Sequence, residues 1–359
     1  MLKKKRVLVA MSGGVDSSVA AALLVEQGYE VVGATMQVWD YSKNTCDVSE
    51  GFGTCCSSID VEDARAVADA LQIPFYVINC EEPFYQYVID DFVQNYLQGQ
   101  TPIPCVHCNG FLKFKYLLQK MKELNCDYLA TGHYAKIKRS PSGEYQLITS
   151  VDTWKDQTYF LFSLSKEVLP YLMFPVGDWE KPRLREYAEK KGLPVARKKD
   201  STGICFIGKE GHGAFIRSQV GKDIPGPLLR YPSGEKLGEH RGIFYFTYGQ
   251  RKGLGVCSDR PLYVVKIDPS NNAVWLGEEE YLFSRELKIK NVNVLGRIRK
   301  GEELKVKIRF HHAGAAAEVC DVGEAFWSLR FKEPQRAITP GQAAVFYRDS
   351  QLLGGGWIC

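Results

Sequence analysis

Two cysteine segments and one glycine-rich loop hold the side chains best suited to covalent chemistry in this sequence. Cys108 lies in Pro104-Cys105-Val106-His107-Cys108-Asn109, directly ahead of a segment with helical periodicity. A thiol at a helix N-terminus is shifted toward thiolate, the nucleophilic form. Cys205 lies in Asp200-Ser201-Thr202-Gly203-Ile204-Cys205, with Lys198 and Lys199 close by. Those cations favour thiolate as well, or hold RNA phosphate. The spacing alone does not bring the two cysteines together. The glycine loop is Ala10-Met11-Ser12-Gly13-Gly14-Val15-Asp16-Ser17-Ser18. Its glycines allow a tight turn in which several N–H groups converge on phosphate, and the following helix adds its positive end. Ser12, Ser17 and Ser18 can donate hydroxyl hydrogen bonds, while Asp16 suits Mg²⁺ or the first helical turn. No lysine follows the glycines, so this is not a Walker loop, and γ-phosphate transfer is disfavoured.

The cysteines carry a competing chemistry. Cys105 and Cys108 form a CxxC pair, which with Cys205, or with Cys55 and Cys56, supplies enough thiols for zinc or an iron–sulfur cluster. Scattered ligands of this kind are a weaker signal than four evenly spaced cysteines. Cys46, Cys80, Cys126, Cys257, Cys320 and Cys359 read as small buried hydrophobes.

The elements that must position these groups follow from the pattern. Short apolar runs at 6–10, 31–36, 75–79 and 128–130 alternate with helical segments at 17–26, 61–71, 85–96 and 109–124. That alternation predicts a parallel sheet covered by helices on both faces. A hairpin is expected around Pro141-Ser142-Gly143, and a helix over 181–191 that stops at Gly192. The Pro- and Gly-rich stretch 224–238 places a domain change near residue 215. Beyond it, strands are expected at 243–247, 262–267 and 273–275, then at 287–294, 304–310, 315–319, 324–331 and 343–347. Such spacing fits a closed or sandwich-like β domain. The division is therefore 1–215, 216–282 and 283–359: an α/β domain, a small mostly β middle domain and a C-terminal β-barrel-like domain.

Composition sets the outer bounds. The 359 residues exceed one ordinary core, and 45% hydrophobic with 25% charged residues is an ordinary globular balance. A formal charge of +4 permits nucleic-acid contact without establishing it. Eleven cysteines, an odd number, cannot all pair internally, and in a reducing compartment they read as buried thiols, metal ligands or reactive thiols and not as a disulfide scaffold. The basic start is too short in apolar residues for a secretory signal, and no stretch is long enough to cross a bilayer, so a cytoplasmic location without membrane contact is expected. Lys288, Lys290, Arg297, Arg299, Lys300, Lys305, Lys307 and Arg309 fall on short strands and turns. Alternation along 304–310 puts Lys305, Lys307 and Arg309 on one face, either a solvated surface or a phosphate platform.

Ser12-Gly13-Gly14-Val15-Asp16-Ser17 resembles the pyrophosphatase loop of enzymes that cleave ATP between its α and β phosphates. The resemblance extends through Met36, Cys55-Cys56-Ser57, residues 101–109, Thr131-Gly132-His133-Tyr134-Ala135, Lys155-Asp156-Gln157, residues 201–208 and Thr339-Pro340-Gly341-Gln342. Over nearly its whole length the chain resembles the tRNA-specific 2-thiouridylase family, of bacterial and mitochondrial type, within the ATP pyrophosphatase (PP-loop) superfamily. The resemblance implies an adenine-nucleotide alpha hydrolase-like N-terminal fold and ATP-dependent 2-thiolation of the wobble uridine. Ala10, Met11, Ser12, Gly13, Gly14, Val15, Asp16 and Ser17 would hold ATP with Mg²⁺, and Met36 and Gly132 would line the adenosine pocket. Cys205 would carry a persulfide, and Cys108 would release its sulfur and end in a disulfide with it. Ile103, Pro104 and Cys105 would border the target base. His133, Lys155, Asp156, Gln157, Arg309, Phe310 and Gln342 would contact tRNA. Partners implied are the Lys, Glu and Gln tRNAs and a cysteine desulfurase or sulfur-relay protein; some related sulfur-transfer enzymes hold an iron–sulfur cluster on three cysteines, here Cys105, Cys108 and Cys205. This sequence departs from the family at Ile103-Pro104, where Asn-Pro is common, and at Cys105, where some members have Asp.

Overall fold

The structure, a computed structural model, describes residues 4–39, 58–200 and 203–359. Cys46, Cys55, Cys56, Ser57, Ser201 and Thr202 lie outside the described residues. Contacts group the chain into two units. One comprises Met1–Val88, Cys105–Phe206 and Ser350–Leu352; the other comprises Ile89–Pro104, Ile207–Asp349 and Leu353–Cys359. Residues 89–104 therefore pack with the C-terminal part, a grouping that a division into consecutive segments does not give.

In the first unit, strands β1 (Arg6–Ala10), β2 (Glu30–Gln37), β3 (Phe75–Asn79), β4 (Tyr128–Thr131) and β7 (Leu172–Met173) form a sheet in the order β3-β2-β1-β4-β7. Every pairing is parallel. Val7, Leu8 and Val9 at its centre are wholly buried, as expected for a strand covered on both faces. Helix α1 (Val15–Glu26) returns from β1 with Val19, Ala20, Ala21 and Leu24 fully buried. Burying a side chain such as Leu24 contributes about 1.5–3 kcal/mol. Helix α2 (Ser58–Ala70) follows β2 and packs Ala64, Val67 and Ala68 into the same core. β5 (Ala135–Arg139) and β6 (Tyr145–Thr149) form the expected hairpin. The order of strands reverses beside β1, between β2 and β4, and ligand crevices of open parallel sheets lie at the carboxyl ends of such strands.

The second unit contains a four-stranded sheet, β10-β11-β8-β9, built from β8 (Gly226–Arg230), β9 (Lys236–His240), β10 (Tyr263–Asp268) and β11 (Ala273–Gly277). Two expectations are corrected. The stretch read as a Pro- and Gly-rich connection contains β8 and β9, whose hairpin turns at Gly234 with a positive φ of 77°. The apolar run 243–247 is not a strand: Ile243–Tyr245 is a single 3-10 turn that buries Ile243 and Phe244. A run of large apolar residues fits either conformation, and burial on more than one side favoured the turn.

The remaining strands are β12 (Phe283–Val294), β13 (Glu303–Lys307), β14 (Ala315–Val322), β15 (Phe326–Arg336), β16 (Ala343–Arg348) and β17 (Gln351–Ile358). The order β12-β15-β14-β13-β16-β17 closes through a β12–β17 pairing, giving a barrel with no free edge. Leu287, Ile289, Val306, Val319, Leu329 and Phe346 fill it. β17 escaped the sequence reading because Gly354-Gly355-Gly356 reads as a loop. Gly354 needs its φ of 138°, where a Cβ would meet the Asn293 carbonyl oxygen at 2.1 Å.

Candidate active site

The turn from β1 into α1 is organised by its own hydroxyls. The Ser12 amide donates to Ser17 Oγ at 3.1 Å, and Ser17 and Ser18 Oγ both donate to the Gly14 carbonyl, at 3.2 and 2.9 Å. Ser17 and Ser18 thus hold the turn, where the sequence reading offered them as phosphate donors. Two glycines are required by close approach. Gly13 has a φ of 69°, and a Cβ there would lie 2.2 Å from the Asp60 carbonyl oxygen; one on Gly132 would lie 2.5 Å from the Ser17 nitrogen. The β4 end is thereby pressed against the first turn of α1.

A cavity of about 330 Å³ opens at this place. Its floor is the loop: Ala10, Met11, Ser12, Gly14, Val15, Asp16 and Ser17. Met36 from the end of β2, with Ala34 and Thr35, forms one wall, and Thr131, Gly132, His133 and Tyr134 form another. Cys108 and Cys205 both line it, as do Lys113, Lys155, Gln157, Lys198, Lys199 and Asp200. The two half-buried thiols, nearly a hundred residues apart in the chain, therefore face the same space as the glycine loop.

The polar groups behind the loop were invisible in the sequence. Lys181 Nζ, with its side chain only 9% exposed, sits 2.7 and 2.9 Å from the Asp16 carboxylate and 2.8 Å from Asp200 Oδ1. Tyr134 donates its phenol to Asp16 at 2.9 Å, and burial together with Asp16 pushes that phenol's pKa up. Asp200 also receives Lys155 at 2.7 Å and Arg185 at 2.6 Å. Burial opposes its ionisation, but Lys155 and Lys181 outweigh this and hold its carboxyl down at about 2. Lys198 bridges Asp60 (2.6 Å), Asp63 (2.5 Å) and the Gly13 carbonyl (3.1 Å). Desolvation would lower its pKa, yet the two aspartates raise it. It lines the same cavity as Cys205, as the sequence reading had it nearby, but its charge is shared with α2 and the loop.

Other expected residues fall differently. The helical run that carries Cys108 begins at Pro104, and Cys108 opens a stretch of π-helical turns, Cys108–Tyr116. It lies past the first turn, where the helix-end field has largely faded; π turns are frequent at functional sites. Asp156 is buried, accepting from the Ser150 amide at 3.1 Å and the Thr158 hydroxyl at 2.7 Å, so it braces a loop. Gln157 accepts the Tyr134 amide at 3.0 Å. Gln342 donates to the Thr101 carbonyl at 2.9 Å, and the Thr101 amide donates to Pro340 O. Those bonds tie the Thr339–Gln342 turn to the approach to Ile103 and Pro104, both buried. Arg309 is exposed but lies beyond β13, which ends at Lys307, and Phe310 is half-buried. Of the cysteines read as buried, Cys80 and Cys126 are, Cys320 is half-buried, and Cys257 and Cys359 are exposed. Cys105 is exposed and does not line the cavity. Among the described residues no three His, Cys, Asp or Glu side chains gather as metal ligands, so the three-cysteine alternative finds no geometry to support it.

His133 is 8% exposed, its Nδ1 2.7 Å from Thr131 Oγ1, its ring against Phe114 and Phe174. It is a wall of the cavity more than an outward RNA contact. Burial, with Lys113 adding to it, holds its pKa well below 6.5. It is therefore neutral when folded and takes a proton near 6.5 when unfolded. The stability tied to it is full above that pH and is lost as pH falls, at about 1.4 kcal/mol per unit until the folded pKa is reached. Burial shifts His212, His240 and His312 the same way. Urea midpoints should decline steadily from pH 7 to pH 5, and His133→Asn should make that decline shallower; parallel slopes would refute the assignment.

A five-stranded parallel sheet with a glycine turn at its switch point defines an α/β nucleotide-binding domain, and the two thiols that line its cavity set it apart from a plain phosphate-binding one. Family models match the chain throughout: a tRNA methyl transferase HUP domain over residues 5–209, a tRNA methyl transferase PRC-barrel domain over 213–278 and an aminomethyltransferase beta-barrel domain over 284–358. The chain is 45% identical to the tRNA-specific 2-thiouridylase of Geotalea uraniireducens, covering 99% of this chain and 95% of that one. It is 46% identical to the same-named protein of Geobacter metallireducens (99% and 97% covered) and 47% identical to that of Clostridium beijerinckii (99% and 99%). The chain belongs to the tRNA-specific 2-thiouridylase family, enzymes of tRNA modification. Among the described residues no helix is long and apolar enough to cross a membrane.

Proposed function

We propose that this protein uses ATP to activate the C2 oxygen of the wobble uridine, position 34, of tRNA and replaces that oxygen with sulfur carried on Cys205. The observation that carries the reading is the single cavity shared by the glycine loop, Cys108 and Cys205. A carbonyl oxygen is a poor leaving group. Attack of that oxygen on the α-phosphorus of ATP expels pyrophosphate and converts it into adenylate, a good one. The loop amides and the α1 N-terminus favour the phosphates, and Lys155 and Lys199, which line the cavity, add positive charge around them.

A persulfide on Cys205 then supplies sulfur. Its terminal sulfur bonds to C2, AMP departs with the original oxygen, and the Cys108 thiolate attacks the Cys205 sulfur. The remaining S–S link to the base breaks, leaving C2=S and a Cys108–Cys205 disulfide. An external thiol must reduce that disulfide before a second turnover. Mg²⁺ fits the donor set: Asp16, at the cavity, gives one carboxylate, and this ion commonly takes one or two carboxylates plus substrate phosphates. Its chemistry would be to neutralise phosphate charge. The substrate would be Lys, Glu and Gln tRNAs, with a cysteine desulfurase or relay protein loading Cys205, in the cytoplasm.

The test is nucleoside analysis of unmodified tRNA incubated with the protein, ATP, a thiol and a persulfide-loaded desulfurase. We expect 2-thiouridine at position 34 with one AMP per thiolated base. Formation of ADP in place of AMP, or AMP release with no sulfur gained, would count against the reading.

A further inference from the structure

The helical run that bears Cys108 also carries exposed rings that the proposed reaction leaves unused. Phe111, 39% exposed, stacks on Tyr87, 41% exposed, with centroids 5.0 Å apart and planes within 11°. His107 continues the set, its ring 6.2 Å from Phe111 and within 12° of parallel. Lys115 Nζ lies 5.8 Å from the Phe111 centroid. Three nearly parallel rings at the surface form a short stacked set beginning one residue from Cys108. Leaving such aromatic area in water is unfavourable and usually marks an interaction site.

We propose that this column is a stacking platform for an unpaired nucleobase of the RNA substrate, adjoining the uridine that enters the cavity; the proposal rests on the thiolation reading above. Two observations choose RNA over a protein partner. Parallel ring faces match the π-face that every base presents, and base–aromatic stacking is how single-stranded segments are commonly held. The charge is also right: the run from 104 to 123 contains Lys113, Lys115, Lys120 and Lys122 against Glu123 alone, and Glu123 is taken up by Lys120 at 2.7 Å. Lys115 therefore stands beside the rings, placed to meet a phosphate flanking the stacked base. The segment that carries Tyr87 is acidic, with Glu81, Glu82, Asp90 and Asp91, so any phosphate is met from the Lys115 side of the rings. A base seated on the rings would hold the loop open next to its neighbour, lowering the cost of drawing that neighbour out of its stack.

The experiment uses anticodon stem-loop RNA with 2-aminopurine placed in turn at each unpaired position beside the target uridine. The intact protein should quench one of these positions. Tyr87→Leu and Phe111→Leu should each abolish the quench and raise the RNA Kd about tenfold, the scale of one lost base stack. The salt dependence of binding and the affinity for ATP should not change, and Phe111→Tyr should retain the quench. An undiminished quench and Kd in both leucine variants would overturn the proposal, as would variants that bind RNA normally but no longer accept sulfur from a desulfurase, which would make the rings a protein-docking surface. Should a leucine variant lose ATP binding through misfolding, the intact protein still decides, because failure to quench at every position refutes stacking. The two readings fail separately: quenching without 2-thiouridine counts against the reaction, and thiolation with unaltered variants counts against the platform.

Discussion

Cys205→Ser is expected to lower 2-thiouridine formation by on the order of a thousandfold or more while adenylation of the tRNA, read as first-turnover pyrophosphate release, stays within a fewfold of the intact enzyme. Serine is close in size, so the half-buried site is not emptied, and the loop that handles ATP is made of other residues. What disappears is the atom that can hold a second sulfur. Cys108→Ser is expected to differ: adenylation, loading of Cys205 and attack on C2 should persist, with the sulfur trapped between Cys205 and the base as a covalent protein–RNA adduct that mass spectrometry detects and an added thiol releases. If Cys205→Ser thiolates tRNA at a normal rate, sulfur travels by another route and the proposed role of that thiol is lost. If pyrophosphate release vanishes as well, the residue serves the nucleotide step.

Lys181→Met is expected to cut kcat/KM for ATP-dependent AMP release by roughly a hundredfold, in the range seen when one preorganised electrostatic group is removed. It should also destabilise the fold by about 2–3 kcal/mol, below the value for a fully buried pair because both carboxylates are partly solvated. The reason is geometric. One ammonium holds Asp16 on one side and Asp200 on the other, at 2.7 and 2.8 Å. Without it two carboxylates face each other at the entrance to a site meant for a polyanion. Lys181→Arg should restore most of the stability but less of the activity, since a planar fork cannot occupy the same point between them. Kinetics and urea denaturation of the three proteins would test this; a methionine variant with unaltered ATP KM would reduce Lys181 to a purely structural cation.

Which features were legible follows from how each signal arises. β1, β2 and α1 were readable because a buried strand is a continuous apolar run and glycines punctuate it. The same reasoning missed β8, β9 and β17, where proline and glycine sit inside paired strands, and misread 243–247, where periodicity does not separate a strand from a buried turn. In the site, the loop and the two thiol segments were visible as local patterns. The Asp16–Lys181–Asp200 set was not, because its members are 165 and 19 residues apart, numbers with no periodic meaning. One local clue existed. Lys181 begins the helix Lys181–Lys190, whose first turn contains no acid, although a helix N-terminus disfavours a cation. A residue that breaks a local rule is a candidate for a functional constraint. The internal role of Asp156 was hidden in the same way: nothing local in Lys155-Asp156-Gln157 says that its loop needs an acceptor inside.

The wide turns from Cys108 to Tyr116 fix more than the position of one thiol. Asn109, Leu112 and Phe114 are buried along them, and Asn109 is pinned to the Phe160 carbonyl at 3.2 Å. Each residue inserted or deleted between that anchor and Leu117 would rotate the flanking helix by roughly 100°, swinging the sulfur out of the chamber or burying the surface rings. Homologous replacement of side chains here is a matter of chemistry, but the count of residues behaves like the pitch of a screw: the segment can be rewritten letter by letter far more readily than it can be lengthened or shortened by one.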